Sequence, residues 1–589
     1  MTDWKPDPHC RALSRPVALP LAMMLGCVAL AVVPVAAQTI TLFDVPANSF
    51  PYGITSGPDG NLWYTDTNAR SIGRMSTAGV PVEFSFPINP STQSPSAITT
   101  GPDGNIWFTG IGANATGLID QVNTAGQLVN ASSVNSTNVG GIAPGSDGNL
   151  WYTYFVNDQV KIGRITTFGT VTEFAMPTGT GSNSESIAAG ADGNLWFTEF
   201  GGNKIGRIST AGAITEFRLP SANSFPAGIT AGPDGNLWFT EYLGNKIGRI
   251  TPAGVITEFP ANGNPMGITV GMDGNLWFTE LLGTNIGRIT TTGAVTEFPV
   301  PTNGFMRGIT SGPDGNVWFA VTGGGVIGRL IPPPSTSPLR AAVLPSSRSV
   351  QVGSFATAFA TIINSGTTTA TGCGIAPVTS TPANFSFQTT DPVTNRLTGT
   401  VNTRVSIPAG GLQTFVVAFK VNAPYVPPTN VLLGYDCDGV PAAASITGVN
   451  TLLLTFADTP VADMIAVGVT PSGDGFARTG GPTGTGVFAV ATTNVGAAAQ
   501  LTGRVRLADS SLPLIAAICE TNSQTGICKA TPAATVVATM SQNETATFTA
   551  FLNATGTIPA DPAKNRAVFE FLDENGVVRG STSTAVTTQ

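Results

Sequence analysis

The fold is decided by the stretch Gly228-Ile229-Thr230-Ala231-Gly232-Pro233-Asp234-Gly235-Asn236-Leu237-Trp238-Phe239-Thr240-Glu241 and the two short runs after it. Those runs are Lys246-Ile247-Gly248-Arg249-Ile250-Thr251 and Ile256-Thr257-Glu258-Phe259-Pro260. β-Branched and aromatic residues fill four segments that Gly, Asn and Pro separate, which is typical of short strands. Asp-Gly between two such segments is a strong hairpin signal because Gly tolerates positive φ. The stretch therefore predicts four antiparallel strands.

The unit recurs along the first half of the chain, and a tryptophan marks each copy. The repeated tryptophans are Trp63, Trp107, Trp151, Trp196, Trp238, Trp277 and Trp318. Four strands in about 40 residues is the period of a β-propeller blade, and the turn spacing excludes a helical repeat. The seventh copy reaches Pro332 without a fourth strand, and segment 39–46 resembles that strand. The repeat predicts a seven-bladed β-propeller over residues 38–331, closed by the N-terminal strand 39–46.

The second half of the chain has a different organisation. No tryptophan follows Trp318, and residues 332–338 read as a Pro-rich linker. Asn-Ser-Gly at 364–366 and Asn-Val-Gly at 494–496 follow similar β-rich runs. This pattern is typical of immunoglobulin-like β-sandwich modules, one at 339–455 and a related one at 456–589. The predicted fold class is all-β, a seven-bladed propeller followed by two such modules.

The composition of the 589-residue chain agrees with this fold class and narrows the partners. Charged residues make up 11%, and 70 Gly and 44 Pro residues provide many turns. A hydrophobic fraction of 42% excludes a disordered chain. The net charge of −8, without a basic block, argues against a nucleic-acid partner because phosphate contacts need clustered Lys and Arg. The acidic, turn-rich surface gives no sign of an oligomer, so we expect a monomer.

Residues 1–37 have the pattern of a signal peptide. Basic residues come first, residues 16–37 are uncharged, and Val35-Ala36-Ala37 supplies a small-residue cleavage site. The alternatives are a retained membrane anchor and a lipoprotein site at Cys27. Cleavage leaves no membrane-spanning segment and removes His9, the one histidine of the sequence. We therefore predict export to the periplasm or the extracellular space.

Four cysteines follow the predicted cleavage site, and an even number in an exported protein suggests two disulfides. Four cysteines allow three connectivities. Pairing neighbours along the chain joins Cys373 to Cys437 and Cys519 to Cys528, which places one disulfide in each predicted module.

An arginine of the third run and a glutamate of the fourth recur together. The pairs are Arg74/Glu83, Arg164/Glu173, Arg207/Glu216, Arg249/Glu258 and Arg288/Glu297. Repeat two has Asp120 and Asn130 instead. Because both members change together, we predict a cross-strand ion pair within each blade.

Two ring positions are candidates for a functional site. The residue before each Gly-Ile-Thr begins the first strand of a blade, which lines the central channel of a propeller. Four of its occupants are candidate ligand-binding residues, Tyr52, Glu185, Met266 and Arg307. The residue after Trp-Phe-Thr gives a second ring, in which three consecutive blades carry Glu199, Glu241 and Glu280. Carboxylates that converge on a channel can hold Mg²⁺ or Ca²⁺, so these glutamates are candidate metal ligands.

The repeat text G-I-T-x-G-P-D-G-N-L-W-F-T-E, N-K-I-G-R-I-T and T-E-F resembles that of the streptogramin B lyase (virginiamycin B lyase) family. The resemblance covers residues 39–330, about half of the chain. It implies a seven-bladed propeller that opens a cyclic depsipeptide antibiotic by eliminating across its ester, assisted by Mg²⁺. Such an elimination needs a base to take a proton near a carbonyl and a metal to hold the developing negative charge.

The residues that the resemblance assigns to this reaction are replaced in this chain. Arg307 stands at the position of the family's histidine base, and Phe305 stands at that of its metal-binding glutamate. Met266 replaces a second histidine, which contacts substrate in the family. Arginine stays protonated at any working pH and is not a general base. The sequence therefore leaves the catalytic residues unknown.

Two functions from different classes remain open. The missing histidine and the large second half favour an exported protein that binds a small molecule or a cell-surface ligand. The alternative is an enzyme with a carboxylate in place of histidine, acting on a cyclic ester or lactone. It would be a virginiamycin B lyase-like carbon–oxygen lyase or a lactonase-type, metal-dependent hydrolase. The position of the candidate glutamates around the channel distinguishes the two.

Overall fold

The computed structural model describes residues 39–84, 92–112, 116–134, 136, 138–156, 159–177, 186–333, 337–509 and 511–588. The predicted signal peptide, Glu185 and part of the predicted linker lie outside these residues. Every regular element within them is a β-strand. No helix there is long and apolar enough to cross a membrane.

The described strands of residues 40–330 form seven four-stranded antiparallel sheets. Sheet 1 contains Pro51–Ser56, Leu62–Asp66, Ser71–Met75 and Pro81–Phe84, and sheet 2 contains Thr92–Thr100, Ile106–Gly112, Gly117–Val122 and Leu128–Val134. Sheet 3 contains Asn138–Pro144, Leu150–Val156, Gln159–Ile165 and Val171–Ala175, and sheet 4 contains Ile187–Ala189, Leu195–Glu199, Lys204–Ile208 and Ile214–Arg218. Sheet 5 contains Pro226–Ala231, Leu237–Glu241, Lys246–Ile250 and Ile256–Pro260, and sheet 6 contains Pro265–Val270, Leu276–Glu280, Asn285–Ile289 and Val295–Pro299. Sheet 7 contains Phe305–Ser311, Val317–Thr322, Val326–Leu330 and Ile40–Asp44. The N-terminal strand is thus the outer strand of sheet 7, with Ile40 opposite Leu330.

The Asp-Gly-Asn turn and the tryptophan form one local structure. In sheet 5, Oδ1 of Asp234 accepts hydrogen bonds from the indole Nε1 of Trp238 at 3.0 Å and from the backbone N–H of Asn236 at 3.3 Å. Gly235 has φ +75°, which the hairpin requires. The same indole-to-aspartate bond occurs in all seven sheets. The aspartate therefore accepts a hydrogen bond from the indole N–H of a fully buried tryptophan. A buried N–H group needs such an acceptor.

The predicted Arg/Glu ion pairs are wrong. The guanidinium of Arg249 lies over the rings of Trp238 and Phe259, 5.6 Å from each centroid, and 4.0 Å from Oδ2 of Asp234. Glu258 instead pairs with Lys246, whose Nζ is 2.6 Å from Oε2. Register is the reason: Gly248 is opposite Glu258 and Arg249 is opposite Thr257. Because successive side chains of a strand point to opposite faces, Arg249 and Glu258 lie on different sides of the blade.

In repeat two, the residue at the position of the arginine is one place further along the chain than predicted. Gln121, not Asp120, lies opposite Trp107 and takes the place of the arginine, and its amide donates a hydrogen bond to Asp103. Asp120 occupies the position that is glycine in the other repeats, and it is buried. Burial raises its pKa to about 7.

Glycine is required in the third strand because the aromatic ring of the second strand fills the space above it. A Cβ added at Gly248 would lie 2.0 Å from Cζ of Phe239, and five other sheets repeat this contact at 1.9–2.1 Å. We expect Gly248→Ala to lower the free energy of unfolding by about 2–3 kcal/mol, because an overpacked ring must leave its rotamer. Urea unfolding followed by tryptophan fluorescence reports on this half alone, since no tryptophan follows Trp318. Adding Phe239→Leu should recover part of the loss; equal midpoints for Gly248→Ala and wild type would contradict the packing argument.

Two further units follow, and each has two sheets that share one hydrophobic core. The first unit contains Leu339–Leu344, Phe355–Asn364, Leu412–Val421 and Ala383–Thr390, with Ser347–Gln351, Thr451–Ala457, Tyr425–Asp438, Ala370–Pro377 and Val405–Ile407. The second contains Met464–Val469, Thr485–Asn494, Thr545–Ala554 and Leu514–Thr521, with Phe476–Arg478, Val578–Thr587, Arg566–Leu572, Ala499–Leu507 and Thr535–Met540. With strands numbered along each unit, both have the orders 1-3-7-5 and 2-9-8-4-6. The shared topology makes the two units structural repeats.

Each unit has one disulfide, and an asparagine forms the same side-chain hydrogen bond in both. Disulfides join Cys373 to Cys437 and Cys519 to Cys528. The side-chain oxygen of Asn364 accepts the N–H of Gly366 at 3.0 Å, and that of Asn494 accepts the N–H of Gly496 at 3.0 Å. The two similar sequence segments thus form the same turn.

The first C-terminal unit packs on the face of the propeller that carries the Asp-Gly-Asn turns. The backbone N–H of Ser445 donates to the carbonyl of Met272 at 2.7 Å, and the hydroxyl of Ser380 donates to the carbonyl of Pro144 at 2.9 Å. Because each first strand runs from the opposite face toward its Asp-Gly-Asn turn, this contact leaves the face with the strand beginnings uncovered by that unit.

Candidate functional site

The innermost strands have a β-bulge where they begin. Six sheets show a register shift at Pro51/Ile54, Pro95/Ile98, Val139/Ile142, Pro226/Ile229, Pro265/Ile268 and Met306/Ile309. Each shift encloses a residue of the first predicted ring, and these are Tyr52, Ser96, Gly140, Ala227, Met266 and Arg307. Bulges bend a strand and redirect side chains, and they are frequent beside active sites. The ring is therefore a set of irregular positions rather than a continuation of the ladder.

The threonine of Trp-Phe-Thr ties these bulges to each other around the ring. The hydroxyl of Thr240 accepts the N–H of Gly228 at 2.8 Å and donates to the carbonyl of Met266, in the next sheet, at 2.7 Å. Thr279 repeats this with Gly267 at 2.9 Å and Arg307 at 2.8 Å. Ala320 takes the threonine position in sheet 7 and has no hydroxyl. This tie was not predicted, although the threonine that recurs after Trp-Phe is its signal in the sequence.

Arg307 and Tyr52 meet where sheet 7 adjoins sheet 1. The guanidinium carbon of Arg307 is 4.8 Å from the ring centroid of Tyr52, and Nη1 donates a long hydrogen bond of 3.4 Å to the phenol oxygen. Both side chains are half-buried. Nε of Arg307 is buried without a partner among the described residues. The position of the expected base is thus a fixed cation on an aromatic face.

The surroundings of Arg307 do not fit the Mg²⁺ that the resemblance implies. Phe305, at the position of the metal-binding glutamate, has no oxygen donor in its side chain and is 51% exposed. Met266, in sheet 6, is half-buried and offers a thioether, which is a poor ligand for a hard cation.

The glutamates of the second predicted ring are buried in their own sheets. Glu199, Glu241 and Glu280 are at most 1% exposed. Each faces the fourth-strand glutamate of its own sheet, and these partners are Glu216, Glu258 and Glu297. Burial, with a smaller contribution from the facing carboxylate, raises the pKa of each of the three to about 7. The part of the chain that the structure describes contains no group of three or more His, Cys, Asp or Glu side chains placed to hold a metal.

An aromatic cluster beside the ring was not predicted. Phe200 lies 5.1 Å from Phe225, edge to face, and 6.2 Å from Tyr242, measured between ring centroids. Phe225 has φ +54°, a conformation that is rare for a bulky residue and that occurs where surrounding structure enforces it. The backbone around Phe225 is held by the N–H of Tyr242, which donates to its carbonyl at 3.0 Å. No motif of the repeat signals this residue, because its position varies in type from blade to blade.

Comparisons with known proteins agree with the repeat. The model of the virginiamycin B lyase family matches residues 35–178, 121–263 and 260–358, which together span more than half of the chain. A solved streptogramin B lyase is 37% identical, with a TM-score of 0.46, and the match covers 50% of this chain and 97% of that one. A catalytically inactive histidine-to-alanine variant of virginiamycin B lyase from Staphylococcus aureus, solved with quinupristin, is 35% identical; its TM-score is 0.46, with 50% and 100% covered. None of the curated proteins compared with the chain matches it.

Proposed function

This chain belongs to the virginiamycin B lyase family, and we propose that it binds a cyclic depsipeptide-like ligand without opening it. The observation that carries the proposal is the arginine at the base position. Arg307 is held on the ring of Tyr52, and a guanidinium is a cation with no acceptor for a substrate's proton. A half-buried guanidinium beside exposed Phe305 instead suits a ligand that has both apolar and carbonyl groups.

A solved relative supports the separation of binding from catalysis. Its histidine-to-alanine variant is catalytically inactive and was solved with quinupristin. The present chain has no histidine beyond His9. We propose that the natural sequence has reached the same state, in which the ligand-binding face is kept and the base is lost.

The proposal includes the organisation of the whole chain. Seven described sheets, with the N-terminal strand in the last, support a seven-bladed propeller at 38–331. The two units with one strand order support immunoglobulin-like β-sandwich modules at 339–455 and 456–589. Two disulfides are compatible with export, with residues 1–37 as the signal peptide. In this arrangement the modules hold or space a monomeric propeller whose ring face stays open to a small molecule or a surface ligand.

Incubation with quinupristin tests the proposal. Chain 38–589 is titrated with quinupristin by calorimetry, and the mixture is followed by liquid chromatography with mass detection, with and without Mg²⁺. We expect a single binding site and intact quinupristin. Arg307→Ala should weaken binding about 10- to 150-fold, since it removes a charge-assisted contact of about 1.5–3 kcal/mol. Arg478→Ala, an exposed arginine of the second C-terminal unit, is the matched control and should bind as wild type does.

Each contrary result has a definite meaning. A ring-opened isomer of unchanged mass would overturn the binding-only proposal and favour the lyase alternative. A product heavier by one water would favour the hydrolase alternative. Wild-type affinity in Arg307→Ala would remove Arg307 from the site.

A further inference from the structure

We propose that the first C-terminal unit binds an anionic lipid surface through the outer face of its four-stranded sheet. This sheet contains Leu339–Leu344, Phe355–Asn364, Leu412–Val421 and Ala383–Thr390, in that spatial order. The surface is separate from the ring position of Arg307, and the inference does not rest on the proposed function. The exposure and charge of this sheet, and its differences from the second C-terminal unit, support it.

Five large apolar side chains are exposed on this face. Successive side chains of a strand point to opposite faces of the sheet. The inward ones fill the hydrophobic core of the unit, and the outward ones alternate with them. The large apolar members of the outward set are 40–55% exposed, and they are Leu344, Phe355, Phe359, Ile363 and Leu412. We call these five residues the apolar patch.

The register of the sheet makes the patch nearly continuous. Phe359 is opposite Leu344 on one side and half-buried Val416 on the other, and Ile363 is opposite Leu412. Directly opposite residues of an antiparallel pair have Cβ atoms about 4.5–5.5 Å apart. Large contiguous apolar surfaces mark sites of interaction with proteins or membranes. The outward positions between the patch residues carry methyl groups and no charge, and they are Ala342, Thr357, Thr361, Thr414 and Ala418.

The charges on this sheet favour an anionic partner. The whole chain has 35 acidic and 27 basic residues, yet none of the four strands contains Asp or Glu. Their two charged residues are Arg340 and Lys420, and both are exposed. Arg340 is opposite Ile363 at one end of the patch, and Lys420 is opposite Phe355 at the other. Basic side chains are attracted to anionic headgroups, and apolar side chains beside them enter the acyl boundary.

The second C-terminal unit shows that the fold does not require the patch. Strands Phe355–Asn364 and Thr485–Asn494 are equivalent, since each has ten residues and ends at the asparagine of the shared turn. In the second unit the patch positions of this strand are therefore occupied by Thr485, Ala489 and Thr493. Asn553, which is opposite Thr485, stands at the position of Lys420. The shared topology thus forms with small or neutral residues at these positions.

A lipid surface fits the patch better than a second copy of the chain does. In a twofold dimer the face would meet itself, and the cations of both copies would come together without a carboxylate on either sheet. Like charges brought together in this way oppose association. The propeller lies against the other sheet of the unit, where a Cβ added at Gly434 would be 2.0 Å from the carbonyl oxygen of Pro233. That contact leaves the patch exposed.

Co-sedimentation of chain 38–589 with lipid vesicles tests the inference. The vesicles contain phosphatidylcholine alone or equal parts of phosphatidylcholine and phosphatidylglycerol. We expect binding to the anionic vesicles that weakens with added salt, and weaker binding to the neutral ones. Phe355→Thr/Phe359→Ala/Ile363→Thr, which copies the second unit, should weaken binding more than about tenfold, since it removes the inserted apolar area. Lys420→Asn should weaken it about fivefold, the contribution of one cation near such a surface.

The matched control removes apolar side chains from the second unit. Ile515→Thr/Val537→Thr replaces two exposed residues there and should bind vesicles as wild type does. Thermal unfolding followed by calorimetry shows whether each variant is folded. We expect the triple variant to be folded, because the second unit already carries its residues at the equivalent positions.

Four results would overturn the inference. One is absence of binding to the anionic vesicles, and another is wild-type affinity in a folded triple variant. Equal binding of wild type to both kinds of vesicle would mean that Arg340 and Lys420 do not meet the headgroups. A wild-type dimer in light scattering that the triple variant dissociates would assign the patch to a second copy of the chain.

Discussion

At pH 8 the Glu199→Gln/Glu241→Gln variant is expected to be more stable than wild type, by about 2–3 kcal/mol for each glutamate, whereas at pH 5 the difference should fall to less than about 1 kcal/mol for each. Both glutamates are fully buried in the second strands of their sheets, and burial raises the pKa of each to about 7. A glutamine has the shape of a protonated glutamate and no charge to bury. The variant therefore removes the cost of ionisation while leaving the packing intact.

The sign follows from proton binding in the folded and unfolded states. Unfolded glutamate loses its proton near pH 4.5, whereas Glu199 and Glu241 keep theirs in the folded protein up to about pH 7. The folded state thus binds more protons between these pH values, so its stability falls as the pH rises through this window. Above pH 7 the full cost is present. The two sites lie in different sheets and have different charged neighbours among the described residues, so their effects should add.

Urea unfolding at pH 5 and pH 8, followed by tryptophan fluorescence, measures the difference for the propeller half. Lys204 and Lys246 keep their partners Glu216 and Glu258 in the variant. Glu574→Gln, at an exposed turn of the second C-terminal unit, is the control for loss of one carboxylate. Equal stability of wild type and variant at pH 8 would show that both glutamates are already neutral or solvated there.

Features of the fold that depend on local chemistry could be predicted from the sequence. The Asp-Gly-Asn turn, the buried tryptophan and the strand that follows lie within ten residues, and each requires the others: Asp234 caps the indole of Trp238, and Gly235 allows the turn. Such a unit can be recognised in the sequence wherever it recurs. The N-terminal strand could also be predicted, because the seventh copy of the repeat ends without a fourth strand of its own.

Features that depend on register or on a neighbouring sheet could not be read in this way. Co-occurrence of Arg249 and Glu258 suggested a pair, but the turn places Thr257 opposite the arginine. Nη1 of Arg249 also donates to the carbonyl of Thr291 at 3.2 Å, in the next sheet, which no single repeat shows. The bulges at Tyr52 and Arg307 and the orientation of Glu199, Glu241 and Glu280 likewise require the assembled ring.

The largest expected change of activity is from none in wild type to measurable ring opening in a triple variant, Met266→His with Phe305→Glu and Arg307→His. The resemblance assigns two histidines and a glutamate to these positions. A neutral imidazole is a base near pH 7, whereas a guanidinium is not, and a positioned general base contributes about 10²- to 10⁴-fold. Residues 305–311 form one strand of sheet 7, and Met266 is the second residue of the first strand of the neighbouring sheet 6, so the scaffold that would carry the new side chains is already present.

Quinupristin, Mg²⁺ and the triple variant are incubated at pH 7.5, and the ring-opened isomer of unchanged mass is followed by liquid chromatography with mass detection. Arg307→Gln removes the charge without supplying a base and should leave quinupristin intact, as should wild type. Arg307→His alone should remain far slower than the triple variant, because Phe305 then still occupies the glutamate position. If the triple variant folds and binds quinupristin as wild type does but opens none of it, the missing histidines are not what separates this chain from the active lyases. The cause would then lie in the shape of the ring, where Ala320 lacks the threonine tie and Phe225 is held at positive φ.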